Sequence, residues 1–432
     1  MSDVWLAKHQ NKLLWLPKQL REQHLHVLGN SRMGKSYFVE HLVRQDIMNG
    51  DGVCVIDPHG ELYENLVDWL IVSGAARHRP VHLVNPAADG WSVGFNPFVA
   101  GKDVAQNVRV NFMLDAALKV LNEAEFGPRL SKCLFLIFHA LSAKGWSIAE
   151  AMQFARSDNV AERIELVADI ENKVVREAWE AFNNYPIKLM EDYLEPVHSR
   201  FLKVCSEPRI ERLMGQTHDV IDFKRCMDEQ HIVLVNLAGV GKVYEDSNKF
   251  VGALMFSDLY LAAKRRSIET AKLKPFYCYV DECGDYITEH VAKSLDQTAK
   301  FGLHYTLIHH RMSQLAEHGP AFQEAVMAGA QSKVVFRVDA DDPAEELSRH
   351  LFRHEFDDEQ VKENLTSPVA VGSEIETLYG RSETDSWSST ETYSSGDSTG
   401  SGSDTDLSES YFAAADGSDP LGVTHRSSSG AS

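Results

Sequence analysis

No apolar run in the 432-residue sequence approaches the length needed to cross a bilayer. The start, Met1-Ser2-Asp3-Val4-Trp5-Leu6, lacks the basic and apolar regions of a signal peptide. A cytoplasmic protein is the expectation from both absences. Cysteine is sparse: Cys54, Cys133, Cys205, Cys226, Cys278 and Cys283 are scattered, with no C-x-x-C pair and no partnered histidine spacing. Neither a disulfide framework nor a structural zinc site is expected from that spacing. Cys54 and Cys278 fall in apolar runs and read as reduced core residues. A basic excess is missing too. Net charge is −20, with −7 in residues 381–432 and −13 in residues 1–380. A passive nucleic-acid coat is excluded, and any nucleic-acid contact has to be local, such as a pore lined by a few loops.

What is present suits a globular protein with a sizeable core: 44% apolar and 25% charged residues. Short β-branched runs at His24–Gly29, Gly52–Asp57, Val81–Asn85, His231–Leu237, Phe276–Asp281, Leu303–His309 and Lys333–Val338 read as buried strands of a parallel sheet. Most are followed by turn residues and a helical period, the alternation of an α/β fold. Residues 1–99 and 223–380 form the two parts of this core. Between them, residues 100–222 read as an all-helical insertion, with segments at Asn107–Asn122, Arg129–Ala143, Ile148–Phe154, Val160–Asn183 and Lys188–Cys205. Phe250–Arg266 reads as a crossover helix. In residues 381–432, 16 are serine. Such a segment buries too little apolar surface to offset its ordering entropy, so a disordered acidic tail is expected there. Its isolated aromatics (Trp387, Tyr393, Tyr411, Phe412) are docking points at most; a spacer is the simpler reading.

The strand His24–Leu28 leads into Gly29-Asn30-Ser31-Arg32-Met33-Gly34-Lys35-Ser36 and then a helix closed by Asn49-Gly50-Asp51-Gly52. This is G-x-x-x-x-G-K-[ST] in its confirming context, strand before and helix after. The glycines let backbone N–H groups converge on phosphate oxygens at a helix N-terminus. Lys35 is expected on the β- and γ-phosphates of ATP, and the Ser36 hydroxyl on Mg²⁺. Far downstream, Phe276-Tyr277-Cys278-Tyr279-Val280 delivers Asp281 and Glu282 at a strand's C-terminal end, where ligands bind in open α/β sheets. Asp281 is expected to hold Mg²⁺, and Glu282 to polarise the attacking water. Asp57, at the end of the second strand, tunes the site or caps the next helix.

These motifs, in this order, resemble the HerA/FtsK branch of RecA-like ATPases, and most closely the TraD/TraG-type coupling ATPases of conjugative type IV secretion. The resemblance runs from Trp15 to about Phe352. It is carried by Trp15-Leu16-Pro17, His24, the P-loop, Ile56-Asp57-Pro58-His59-Gly60-Glu61, Asn96-Pro97-Phe98 and Phe126-Gly127-Pro128-Arg129. Val235-Asn236-Leu237, Asp281-Glu282, Ala299-Lys300-Phe301-Gly302-Leu303, Ser313-Gln314-Leu315 and Val335-Phe336-Arg337-Val338 before Asp341-Asp342 complete it. The resemblance implies a RecA-like core and a homo-oligomeric ring, a hexamer, that hydrolyses ATP at subunit interfaces and drives DNA through a central channel. It implies membrane-bound secretion or relaxosome partners, with recruitment to the membrane by such a partner. Arginines from a neighbouring subunit complete each site in such rings; Arg337 holds the position of one finger. Arg129 is a candidate for another, with a salt bridge at the start of the helical insertion as the alternative.

Three departures from the family pattern stand out. Arg32 takes a place where many relatives have glycine. His310 lies at or beside the place of a γ-phosphate-sensing glutamine, where a histidine would bring pH sensitivity. The N-terminal membrane helices common in coupling proteins are missing, which favours a soluble translocase. The densest basic cluster, Lys264-Arg265-Arg266 with Lys272 and Lys274, reads as a solvated helix end before it reads as a DNA track. The rival functions are a secretion-type motor for polypeptide and a nucleotide-controlled interaction scaffold.

Overall fold

In the computed structural model the described residues are 3–9, 12–88, 93–99 and 105–337, apart from 122, 219, 240–241 and 267–272, together with four strands between 376 and 427. Residues 1–344 form one compact unit. Its centre is a seven-stranded sheet. In chain order after an N-terminal hairpin of β1 (Val4–His9) and β2 (Lys12–Leu16), the sheet strands are β3 (Leu25–Leu28), β4 (Gly52–Asp57), β5 (Val81–Val84), β6 (Ile232–Asn236), β7 (Phe276–Val280), β8 (Leu303–His309) and β9 (Ser332–Val335). Their spatial order is β5-β6-β4-β7-β8-β3-β9, and every neighbouring pair is parallel. Parallel neighbours need long crossovers, which the intervening helices supply. All seven strands lie where the apolar runs predict them.

Each strand is apolar on both faces because both faces are covered. On one face Leu25, Val27, Val53, Val55, Ile232, Leu234, Tyr277 and Tyr279 pack with Val39, Leu42, Val43 and Ile47 of helix Lys35–Met48, and with Leu62 and Leu66 of helix Glu61–Ser73. On the other, Cys54, Ile56, Val233, Val235, Cys278, Val280, Tyr305 and Leu307 join the helices Gln106–Leu121 and Lys242–Lys264 in a larger core. Fully burying one such aliphatic side chain stabilises by about 1.5–3 kcal/mol. The described elements between 105 and 214 are all helices, and their apolar stripes enter that same larger core.

Three local details differ from the sequence reading. The segment Val160–Asn183 is two helices, Val160–Val167 and Lys173–Asn183, because the Asn172 side chain accepts the Val174 and Val175 N–H groups and starts a new helix. Helix Glu123–Lys144 is kinked at Gly127 (φ 62°, ψ −156°), directly before Pro128. The β1–β2 hairpin was not foreseen. It is pinned to the P-loop helix by Trp5, whose N–H donates to Gln45 Oε1 (2.8 Å) and whose carbonyl accepts from Gln45 and His41.

Leading into and within the tail read as disordered, backbone pairing is described for two antiparallel hairpins, Glu376–Arg381 with Trp387–Thr392 and Leu407–Phe412 with Gly422–Ser427. They include Trp387, Tyr411 and Phe412 of the tail, aromatic residues that favour strands. The other tail residues, and Val338, Asp341 and Asp342, lie outside the described residues.

Candidate nucleotide-binding site

Four adjacent strands, β7-β8-β3-β9, end on the same edge of the sheet, and each hands one sequence-predicted group to it. After β3 comes the P-loop, after β7 Asp281 and Glu282, after β8 His310, and after β9 Arg337. The loop Gly29–Gly34 is held against the last of these segments: Asn30 N–H donates to the Arg337 carbonyl (2.9 Å), and Phe336 N–H donates to the Leu28 carbonyl (2.7 Å). A Cβ on Gly29 would lie 2.5 Å from Phe336 Cβ, so only glycine admits this close approach. Gly34, at φ 93°, turns the chain into the helix that begins at Lys35. Arg32 also sits in the left-handed region, at φ 64°. The chain thus keeps a glycine-type conformation at Arg32, with a strained residue in a phosphate-binding loop. Ser31, Arg32, Met33 and Ser36 are exposed at the loop's mouth.

Lys35 is buried, and its ammonium is shared between the carbonyls of Gly29 and Asn30 (2.9 Å for the latter) and His310 Nδ1 (2.6 Å). An ammonium only donates, so His310 Nδ1 accepts and the ring proton sits on Nε2. Nε2 lies 2.8 Å from Glu282 Oε1. The result is a continuous chain, Lys35–His310–Glu282, joining the P-loop to the carboxylate after β7. The other oxygen, Glu282 Oε2, accepts from the Gln314 side-chain amide (2.7 Å), while Gln314 Oε1 accepts the backbone N–H groups of His310 and Arg311 (2.7 and 3.0 Å). Glu282 itself stands at φ 50°.

The electrostatics follow from this arrangement. Burial lowers the Lys35 pKa, against the pull of Asp281 and Glu282. Burial alone would raise Glu282, but hydrogen bonds from His310, His59 and Gln314 outweigh it and hold the carboxyl well below its ordinary range. His59, 3.8 Å from Glu282 Oε1, is raised by that carboxylate against its own burial. Asp281 is pushed up to about 6, first by burial and then by Glu282 and Asp57. Such a crowded, under-neutralised carboxylate offers hard oxygen donors of the kind suited to Mg²⁺.

Three other expectations are placed by the geometry. Asp57 is fully buried, and its two oxygens accept the N–H groups of His59 and Tyr63 (both 2.9 Å), so it caps the helix Glu61–Ser73. Arg129 is exposed and lies over the Tyr193 ring at 5.3 Å, a cation–π contact within the helical segment, and it makes no salt bridge among the described residues. Arg337 is exposed just past the end of β9, not inside a strand. In the basic cluster, Arg266 is buried and spent on Asp228 and the carbonyls of Phe301 and Lys274. Gln314 and His59 carry site roles that the sequence reading did not assign. The signal for both was their presence in the motifs Ser313-Gln314-Leu315 and Pro58-His59-Gly60.

Residues 14–114 match the family model described as the central domain of helicase HerA. No curated protein matches the chain. Among solved structures, plasmid coupling protein TrwB in complex with the non-hydrolysable GTP analogue GDPNP is similar with a TM-score of 0.53 and 16% identity, over 78% of this chain and 75% of that one. At this identity the likeness shows the fold, which the chain shares with TrwB. TrwB with ADP and Mg²⁺ gives a TM-score of 0.51 at 13% identity, covering 81% of this chain and 83% of that one. VirB4 of Thermoanaerobacter pseudethanolicus gives 0.51 at 12% identity, covering 88% and 93%. This shared fold accounts for the α/β class and the edge on which the site is built. Among the described residues no helix is long and apolar enough to cross a membrane.

Proposed function

We propose that the chain is a Mg²⁺-dependent ATPase that assembles into a hexameric ring and moves DNA through the ring's channel, in conjugative transfer or a related mobile-element process. The observation that carries the nucleotide chemistry is the Lys35–His310–Glu282 chain, which puts a buried ammonium and a deprotonated carboxylate on either side of one histidine. The ADP–Mg²⁺ and nucleotide-analogue complexes of TrwB support ATP and Mg²⁺ as the ligands here. Its description as a plasmid and conjugative coupling protein supports the mobile-element setting.

The residues act as follows. Backbone N–H groups of Ser31–Ser36 take the phosphates at the N-terminus of helix Lys35–Met48. Lys35 turns from the Gly29 and Asn30 carbonyls to the β- and γ-phosphate oxygens. Ser36 and Asp281 hold Mg²⁺, which when bound neutralises developing charge on the phosphates. Once Lys35 is drawn away, His310 Nδ1 loses its donor and the ring is free to report the γ-phosphate. Glu282, held ionised by Gln314 and His59, orients the attacking water. Arg337 and Arg129, both exposed, are the candidates to reach a neighbour's γ-phosphate. Partners at a membrane belong to the same proposal.

The test is ATP turnover by the purified chain with and without single- and double-stranded DNA over a range of salt. Stimulation by DNA is expected; turnover indifferent to both would overturn the DNA motor and leave a polypeptide motor or a nucleotide-controlled scaffold. Arg337→Ala should be inactive alone and poison mixed rings, whereas a silent substitution would remove it from the site.

A further inference from the structure

At the opposite edge of the sheet from the nucleotide site, three metal-binding side chains meet that no spacing in the sequence connects. His82 lies in β5, His231 directly before β6, and Cys226 in the helix Phe223–Asp228. The parallel pairing of β5 with β6, with His82 opposite Val233, brings the first two together. A backbone hydrogen bond from His231 N–H to the Cys226 carbonyl (2.8 Å) brings the third. One ligand atom from each of His82, Cys226 and His231 lies within 4.8 Å of the other two. Cys226 and His231 are buried and His82 half-buried.

The surroundings are already arranged as around a metal-bound histidine. His231 Nε2 lies 2.9 Å from Glu229 Oε2, so it carries the ring proton and leaves the Nδ1 lone pair facing His82 Nε2, also at 2.9 Å. A carboxylate on the far nitrogen is the usual device that fixes the tautomer and raises the basicity of a metal-ligating imidazole. Glu229 is itself gripped by Arg225 at 3.0 and 3.1 Å. The turn that aims His231 is also fixed: Gln230 stands at φ 59°, its side-chain oxygen accepts the Gly52 N–H, and its carbonyl takes Arg79.

We propose that His82, Cys226 and His231 form a binding site for a divalent transition ion, with zinc the best match. One thiolate and two imidazoles suit zinc over magnesium or calcium. With Zn–N near 2.0–2.1 Å and Zn–S near 2.3 Å, tetrahedral ligand atoms stand about 3.3–3.6 Å apart, within a small adjustment of the observed cluster. Binding displaces two protons from the ligand atoms. The Cys226 thiol proton leaves to solvent, and the His82 proton moves from Nε2 to Nδ1. A water takes the fourth position, since Glu229 is committed to His231. The ion would tie edge strand β5 to β6 and to the helix Phe223–Asp228, with no part in nucleotide chemistry.

The experiment uses the full chain, treated with chelator, desalted and titrated with Co²⁺ and separately with Zn²⁺. One equivalent of Co²⁺ should give a thiolate-to-cobalt charge-transfer band and intense visible bands of tetrahedral type, and Zn²⁺ should displace it and raise Tm. Cys226→Ser should lose the charge-transfer band. His59→Ala, which alters the only other such cluster among the described residues, should keep it. If Cys226→Ser does not fold, His82→Ala on the half-exposed side serves instead, with Co²⁺ affinity at least ~10-fold weaker. No charge-transfer band in the wild type, an unchanged band in Cys226→Ser, or loss of the band in His59→Ala in place of His82→Ala would overturn the proposal.

Discussion

The P-loop helix and strand β7 are joined in two places, and the two joints are built on opposite rules. Near the helix's C-terminal end the Arg21 guanidinium meets Asp46 with two 2.6 Å bonds and donates to the Tyr279 hydroxyl (2.9 Å), which in turn donates to Asp46. All three side chains are buried, and Arg21 lies 3.9 Å over the Tyr277 ring. Every charge there has a fixed partner. At the other end, three residues beyond Tyr279, Lys35 reaches Glu282 only through His310 and borrows backbone carbonyls for its remaining protons. The first joint is saturated and has no vacancy for a ligand. The second is a set of exchangeable contacts, each of which a phosphate can replace. A saturated network fixes two elements relative to one another; an exchangeable one lets the same two elements report what is bound.

Four substitutions or conditions separate these roles. Breaking the saturated joint with Asp46→Ala should cost about 3–5 kcal/mol of stability, because Arg21 is left buried and unpaired. Urea unfolding measures it, and the double replacement Arg21→Met with Asp46→Leu should cost much less. Lys35→Ala should lower turnover about 10²–10³-fold, the scale of one lost transition-state donor, while leaving the urea midpoint nearly unchanged. Comparable loss of stability in both variants would erase the contrast between the joints.

The third concerns the histidines under the site. His26 and His309 stack at 4.6 Å between β3 and β8, and burial holds His309 down to about 4 and His304 to about 3. Both are neutral in the fold, whereas the unfolded chain takes up protons near pH 6.5. As pH falls from about 6.5 to 4 the unfolded state binds protons that the native state refuses, so stability drops, by ~3 kcal/mol from His309 alone. Urea midpoints from pH 7.5 to 5 should fall accordingly, and His309→Gln should flatten the slope. The smallest effect is expected at His310. His310→Ala removes a hydrogen bond to a charged group on each side and should slow turnover roughly 10-fold or more. His310→Gln, which can still accept and donate, should retain most of the rate. Equal rates in all three proteins would show that the chain of contacts is incidental.

The sequence made the sheet legible because buried parallel strands are unbroken apolar runs, as in Gly52–Asp57 and Leu303–His309, and the structure keeps those bounds. The P-loop and Asp281-Glu282 were legible because their chemistry is local to one strand end. What stayed hidden depends on chain segments far apart in sequence. Gln314 touches Glu282 across 32 residues and His310 touches Lys35 across 275, separations that no period or motif encodes. Asp57 was open to two readings until its oxygens were seen on the His59 and Tyr63 N–H groups. The cluster of His82, Cys226 and His231 escaped a search for ligand spacing because its members come from three elements. The β1–β2 hairpin was missed because its second strand, Lys12–Leu16, leaves Leu13, Leu14 and Trp15 about half exposed, without the alternation of a half-buried strand.

The most direct test of the central claim is a paired measurement on Glu282→Gln: ATP binding and single-turnover hydrolysis beside the wild type. Binding should be retained, because Lys35 and the P-loop are untouched, while hydrolysis should fall by about 10²–10⁴-fold for loss of the group that orients the water. Hydrolysis at the wild-type rate would contradict the assignment and move the chemistry away from the carboxylate that His310 joins to the P-loop.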